Sequence, residues 1–182
     1  EAWRGGGPGA GPASGAASGD GNTVSASGTV VWIVGLPSSG KSTLAARVAS
    51  ALGLAVVLDG DEVRRALRPV PGYSDGERDA FYETLARLAA LIARQGHVVL
   101  VAATAHRRAF RERARELAPR FVEVFVDTPL DECRRRDTRG LYARGEPQLP
   151  GVGVPFEPPE SPDVRVRPDD TNAVQQILAL IT

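Results

Sequence analysis

The segment Gly35-Leu36-Pro37-Ser38-Ser39-Gly40-Lys41-Ser42 has the composition and spacing needed to hold phosphate. It fits the pattern G-x-x-x-x-G-K-[ST]. Glycines let the backbone turn tightly, so that successive N–H groups point inward at phosphate oxygens. A helix opening at Lys41 adds the positive end of its dipole. The Lys41 ammonium is placed to reach terminal phosphates, and the Ser42 hydroxyl to ligate Mg²⁺. The candidate ATP contacts are therefore Gly35, Leu36, Pro37, Ser38, Ser39, Gly40, Lys41, Ser42 and Thr43. The bland alternative is a glycine-rich turn joining strand to helix. The buried strand before it and the amphipathic helix after it favour the phosphate reading.

A second group is Asp59-Gly60-Asp61, at the end of a short apolar run. One carboxylate there can orient Mg²⁺ or its waters while the other takes a proton from an attacking hydroxyl. Asp also favours turns and helix caps, and spacing alone leaves both readings open. Arg64, Arg78 and Arg107 sit near the same rim and offer guanidinium forks to an anionic co-substrate. Arg108, Arg111, Arg113 and Arg115, interleaved with Glu112 and Glu116, read instead as a solvated helix face. The run Arg134-Arg135-Arg136 leads into a Pro/Gly-rich segment and is ambiguous, with Arg136 a candidate for phosphate charge. His97 reads as structural, Cys133 as a packing residue, and His106 as a minor candidate for the pocket. Tyr73 can stack on a base or cover the core.

These residues need elements to position them, and the chain alternates strands with helices. Thr29–Val34 is a β-branched run typical of a strand buried on both faces. A helix is predicted over Lys41–Leu52, a strand over Ala55–Leu58 and a short helix over Glu62–Leu67. A long helix over Gly76–Gln95 carries Phe81, Leu85, Leu88 and Ile92 as its apolar stripe. Strands over His97–Ala102 and Phe121–Val126 flank a helix over Arg107–Leu117. Pro129 starts another helix. Val164–Val166 is a weak fifth strand, and Val174, Ile177, Leu178 and Ile181 mark a terminal helix. The alternation predicts an α/β fold: a five-stranded parallel sheet with helices on both faces, binding its ligands at the carboxyl ends of the strands. Residues 138–162 show no periodicity and read as a lid.

Composition bounds the rest. With 182 residues, 42% hydrophobic and 24% charged, one globular domain over 28–182 is expected. Residues 1–27, rich in Gly, Ala, Ser and Pro, read as a flexible tail or linker. Lys+Arg and Asp+Glu balance at 22 each, so nothing favours nucleic acid or an anionic membrane as a partner. A single cysteine fits a cytoplasmic protein, and no apolar run suggests a membrane span. The chain has no methionine, so Glu1 reads as an internal or processed start.

Several segments together resemble the adenylylsulfate kinase family of P-loop NTPases. They are the phosphate loop, Leu58-Asp59-Gly60-Asp61-Glu62-Val63-Arg64, Gly72-Tyr73-Ser74 with Glu77-Arg78, and Phe121 to Leu130. Arg136-Asp137 with Arg139-Gly140-Leu141-Tyr142, and Phe156-Glu157-Pro158-Pro159, complete the set. In order, they span nearly all of 28–182. The resemblance implies transfer of the ATP γ-phosphate to the 3′-hydroxyl of adenylylsulfate. It implies Lys41, Asp61 and Asp59 as catalytic residues. Substrate contacts implied are Asp61, Arg64, Tyr73, Arg78, Phe81, Thr104, Arg139 and Leu141. It is compatible with a homodimer and with fusion at the N-terminus to another domain such as an ATP sulfurylase.

The chain departs from the family pattern where substrate is recognised. Phe81 stands where the family usually has Asn. The tip Ile-Ser-Pro-Tyr-Arg is Ala103-Thr104-Ala105-His106-Arg107, with Thr104 only a partial stand-in for the serine. A lysine becomes Arg139, the lid is shorter after Tyr142, and Phe-Thr-Gly becomes Leu149-Pro150-Gly151. Such changes can shift substrate preference while leaving phosphoryl transfer intact. A related kinase acting on another small alcohol or nucleotide is the first alternative. A non-catalytic nucleotide-binding domain is the second, and intact Lys41, Ser42 and Asp61 argue against it.

Overall fold

The computed structural model describes residues 28–182; the tail or linker expected at 1–27 lies outside the described residues. Eleven elements follow in order: β1 (Thr29–Val34), α1 (Lys41–Leu52), β2 (Val56–Asp59), α2 (Gly60–Ala66), α3 (Asp75–Ala93), β3 (Val98–Ala102), α4 (Arg108–Leu117), β4 (Phe121–Val126), α5 (Leu130–Arg135), β5 (Val164–Val166) and α6 (Ala173–Ile181). The five strands form one sheet in the order β2-β3-β1-β4-β5, and every pairing is parallel. β1 is central and buried throughout, as its unbroken apolar run requires.

The period of two along β1 decides which helices cover which face. Val30, Trp32 and Val34 face a cluster with Phe81, Leu85 and Ala89 of α3 and Phe110 of α4. Val31 and Ile33 face the opposite cluster, with Leu44 and Val48 of α1 and Ile177 of α6. Because all strands run the same way, the ends of β1, β2, β3 and β4 deliver their following loops to one edge of the sheet. Among the described residues no helix is long and apolar enough to cross a membrane.

Three local expectations need correction. The buried stripe of α3 is Phe81, Tyr82, Leu85, Ala86, Ala89, Ala90 and Ala93, whereas Leu88 and Ile92 lie half-buried at its margin. A pattern of large apolar residues misses a face built of alanines, which let helix and sheet approach closely. His97 lies just outside β3 and is exposed; its carbonyl accepts from the Thr29 N–H at 3.2 Å.

Arg111 is not solvated. It is 3% exposed, and its guanidinium donates to Glu123 (2.9 Å), to the Ala105 carbonyl (2.8 Å) and to the Glu157 carbonyl (2.8 Å). The counter-charge sits on β4, so the sequence of α4 gave no sign of it. Arg115 adds a longer contact to Glu123 at 3.3 Å. Arg111 thus joins α4, β4 and the 157 segment.

Removing one partner of a buried ion pair strands the other in low dielectric. Arg111→Met is therefore expected to lower unfolding free energy by about 3–5 kcal/mol, measured by urea denaturation. The double variant Arg111→Met/Glu123→Leu should recover most of that loss.

Candidate active site

The loop between β1 and α1 folds as its glycines dictate. A Cβ on Gly35 would lie 2.7 Å from the Val126 carbonyl oxygen and 2.8 Å from Ser39 Oγ, so only glycine fits there. Gly40, at φ 105°, turns the chain into α1. The N-cap residue, Gly40, has no side chain to cap α1, and the first turn of α1 contains no acidic residue. The amides at the start of this helix are therefore left to an anion. Ser39 Oγ is buried without a hydrogen-bond partner among the described residues. The Ser39 carbonyl accepts from Thr128 Oγ1 at 2.9 Å, and the Pro37 carbonyl from the Tyr142 hydroxyl at 2.8 Å. Leu36 packs against the Gly151 backbone so closely that a Cβ there would come within 2.5 Å of its Cδ2. Sequence reasoning gave Thr128 and Tyr142 no role here, because both bonds go to backbone carbonyls across long separations.

Lys41 is buried and donates from Nζ to the Leu36 carbonyl at 2.6 Å. Burial pushes its pKa down to about 8, a shift only partly offset by the negative charges of Asp61 and Asp59. Ser42 Oγ lies 2.5 Å from Asp59 Oδ2. The other oxygen of Asp59 accepts from the Asp61 N–H (3.0 Å) and the Glu62 N–H (3.3 Å) and so caps α2. Cap and site residue, which the sequence left as alternatives, are here combined in one side chain. Asp61 lies in the first turn of α2, half exposed, in an ion pair with Arg139. Ser42 and the two carboxylates form a set of hard oxygen donors. This suits Mg²⁺, which keeps several waters and takes further ligands from phosphates rather than from a protein cage.

Arg64 and Arg78 are both buried. Arg64 donates from Nη1 to the carbonyls of Gly72 (2.6 Å) and Pro71 (3.2 Å). Arg78 donates to the carbonyls of Tyr73 (2.8 Å) and Gln148 (2.5 Å). The Arg64 guanidinium lies 4.6 Å from the Tyr73 ring centre and 3.8 Å from that of Phe81. Tyr73 remains half exposed, whereas Phe81 is buried. Arg107 stands apart from this pair, tied to Asp75 (2.6 Å) and Asp79 (3.0 Å).

Beyond β3, Thr104 is half-buried and His106 fully buried. Burial, with Arg78 and Arg107 nearby, pushes the His106 pKa down to about 4, so it is neutral at ordinary pH. Its Nδ1 has no hydrogen-bond partner among the described residues. Glu157 accepts the Arg108 N–H at 2.5 Å and thereby caps α4. After α5, Asp137 accepts the Tyr142 N–H at 2.7 Å, which folds the turn holding Arg139 and half-buried Leu141. Arg136 lies beside the loop, its Nη1 4.0 Å from where a Gly40 Cβ would stand, with Nε bonded to Glu132 at 2.8 Å. Leu149 is buried, its carbonyl accepting the N–H groups of Val152, Gly153 and Val154. Residues 138–162 thus reach the loop at Pro37 and Leu36, α2 at Asp61 and α3 at Arg78.

The family model described as adenylylsulphate kinase matches residues 27–167. The chain belongs to the adenylylsulphate kinase family. An adenylyl-sulfate kinase from Synechococcus sp. (strain JA-3-3Ab) is 43% identical over 145 residues, covering 75% of this chain and 82% of that one. The bifunctional enzyme NodQ of Azospirillum brasilense is 43% identical over 154 residues, 79% of this chain but 24% of that protein. The structure of the Mycobacterium tuberculosis APS kinase CysC in complex with AMPPNP and APS superposes with a TM-score of 0.76 at 37% identity, covering 84% of this chain and 95% of that one. The fold expected from the alternating strands and helices is the P-loop kinase fold of this family, and the enzyme is an ATP-dependent kinase.

Lys41 supplies a pH signature. Its pKa is lowered from 10.5 to about 8 in the folded chain. Between those values the unfolded chain holds the proton that the folded chain has released, so stability rises with pH across that window. Below about pH 8 the charged form weighs against folding. Lys41→Met should therefore flatten the rise and stabilise the nucleotide-free protein at pH 7. The gain is at most about 3 kcal/mol, reduced by the lost bond to Leu36. Urea midpoints from pH 7 to 10 measure both effects.

Proposed function

We propose that this kinase transfers the γ-phosphate of ATP to the 3′-hydroxyl of adenylylsulfate, giving 3′-phosphoadenylylsulfate and ADP. One observation carries the reading: the Asp61 carboxylate acts electrostatically on Lys41 of the phosphate loop and precedes Arg64 by three residues on α2, and the Arg64 and Arg78 guanidinium groups both lie over the Tyr73 ring, so a carboxylate accompanies both a phosphate site and an anion-and-base site. The loop amides from Gly35 to Thr43 hold the triphosphate, Lys41 places its charge on the transferring group, and Arg136 adds charge from the side of Gly40. Ser42 and Asp59 would hold the Mg²⁺ that accompanies ATP, which when bound neutralises charge on the phosphate oxygens. Tyr73 offers its open face to the purine, and Arg64 and Arg78 meet the acceptor's anionic groups. Asp61 takes the proton from the 3′-hydroxyl.

The Asp61–Arg139 ion pair has a consequence for this scheme. The Asp61 carboxylate is engaged by the Arg139 guanidinium, so Arg139 must turn toward substrate before Asp61 is free to accept a proton. Residues 138–162 are the lid that makes this movement and excludes water. Leu141 and Thr104 line the acceptor side. We place the reaction in the cytoplasm, consistent with a single free, buried thiol at Cys133.

ADP release from Mg-ATP is expected to require adenylylsulfate and to vanish in Lys41→Ala. Turnover with some other small alcohol or nucleotide alone would redirect the substrate assignment, and tight nucleotide binding without turnover would remove catalysis from the account. Asp61→Asn keeps shape while removing the base. It should lower kcat by about 10²–10⁴-fold with little change in ATP binding, read by steady-state kinetics beside calorimetric titration.

A further inference from the structure

Phe81 replaces the side-chain amide that the family pattern leads one to expect, and it lies under Arg64 rather than in the cleft. The guanidinium carbon of Arg64 is 3.8 Å from the Phe81 ring centre and 4.6 Å from that of Tyr73. The Phe81 ring is itself held edge-on to Tyr82 at 5.3 Å, and Tyr82 is fixed by accepting the Ala105 N–H at 2.9 Å. The ring therefore has little freedom to move.

The hydrogen bonds of Arg64 use a single nitrogen. Nη1 donates to the carbonyls of Gly72 and Pro71, and no carboxylate of the described residues bonds to the guanidinium. Two bonds from one nitrogen fix a point but leave rotation about that point. A ring in face contact restricts that rotation, since a guanidinium stacks flat on an aromatic face. The remaining N–H groups then keep one direction even without ligand. An asparagine at position 81 would offer the acceptor a hydrogen bond directly; phenylalanine cannot, but it can set the plane of the cation that does.

We propose that Phe81 is a positioning residue: its ring holds the Arg64 guanidinium in the plane that receives the anionic group of the acceptor nucleotide. The inference rests on adenylylsulfate as acceptor. It makes specificity for the acceptor depend on a residue that does not touch it, by replacing a direct polar contact with pre-orientation of a charge. ATP, held by the phosphate loop, does not sense the change.

The test compares Phe81→Leu, which keeps apolar bulk but loses the ring, with Phe81→Trp, which keeps a ring. For Phe81→Leu, KM for adenylylsulfate should rise about three- to tenfold, with KM for ATP unchanged. Phe81→Trp should stay close to the parent value. Thermal midpoints identify any variant that has merely lost folded protein, because that loss lowers kcat without raising one KM selectively. Adding Arg64→Lys to each background provides a second readout: the loss from Phe81→Leu should largely disappear once the planar cation is gone. An unchanged KM for adenylylsulfate in Phe81→Leu, or equal rises for both substrates, would overturn the proposal. Absence of adenylylsulfate-dependent turnover in the parent enzyme would instead overturn the substrate assignment on which it rests.

Discussion

A desolvated ammonium at the start of a helix whose N-cap is a glycine is the interaction on which this site depends. Lys41 is buried, bonded to one carbonyl, and begins α1, whose first turn has neither an acidic residue nor a side-chain cap. A buried positive charge only partly offset by Asp61 and Asp59, and helix-terminal amides without a side-chain cap from the N-cap residue, are both costly in a folded chain. A triphosphate resolves both costs at once. Everything nearby keeps that unfavourable arrangement from relaxing. Gly35 admits no side chain, Thr128 and Tyr142 hold the carbonyls of Ser39 and Pro37, and Leu36 is covered by the Gly151 backbone. Three of these supports come from β4's end or from residues 138–162, so the loop is braced by parts of the chain far from it in sequence.

Much of this frame was legible in the sequence. β1 and α1 have the bounds that the apolar run and the glycines imply, and the phosphate pattern lies between them. Periodicity works there because β1 is covered on both faces and needs an unbroken apolar run. It fails on α3, where the inward face is largely alanine, and on α4, where Arg111 is buried against a glutamate of another strand. Both failures have one cause. Local pattern reports the residue's own hydropathy, whereas burial is decided by what the neighbouring element presents. The roles of Asp59 could not be separated in sequence for a different reason: one oxygen caps α2 and the other meets Ser42, so the two readings never competed.

On the acceptor side the arginines differ in what holds them. By sequence, Arg64, Arg78 and Arg107 formed one group and the arginines of α4 another. Their partners divide them differently. Arg107, Arg111, Arg113 and Arg115 all face carboxylates and are electrostatically cancelled in place. Arg64 and Arg78 bond to backbone carbonyls, which orient a guanidinium without neutralising it. A carbonyl-held arginine keeps its full charge for a ligand and bears its desolvation cost until one arrives. By that criterion we propose the space shared by Arg64, Arg78 and Tyr73 as the acceptor site, whereas Arg107, tied to Asp75 and Asp79, joins α3 to the segment after β3.

Arg139 falls between these classes, since its partner is Asp61. In the reaction we propose, each has another use, the arginine as charge for the substrate and the carboxylate as base. While paired, neither is available, so in that scheme the ion pair holds the base in check. Because both side chains are more than half exposed, water screens the pair and a substrate with its own anionic group can displace it at small cost. A buried pair in the same place would bind too firmly to serve. On the reading we propose, the partial exposure of Asp61 lets the acceptor's arrival release both the charge and the base.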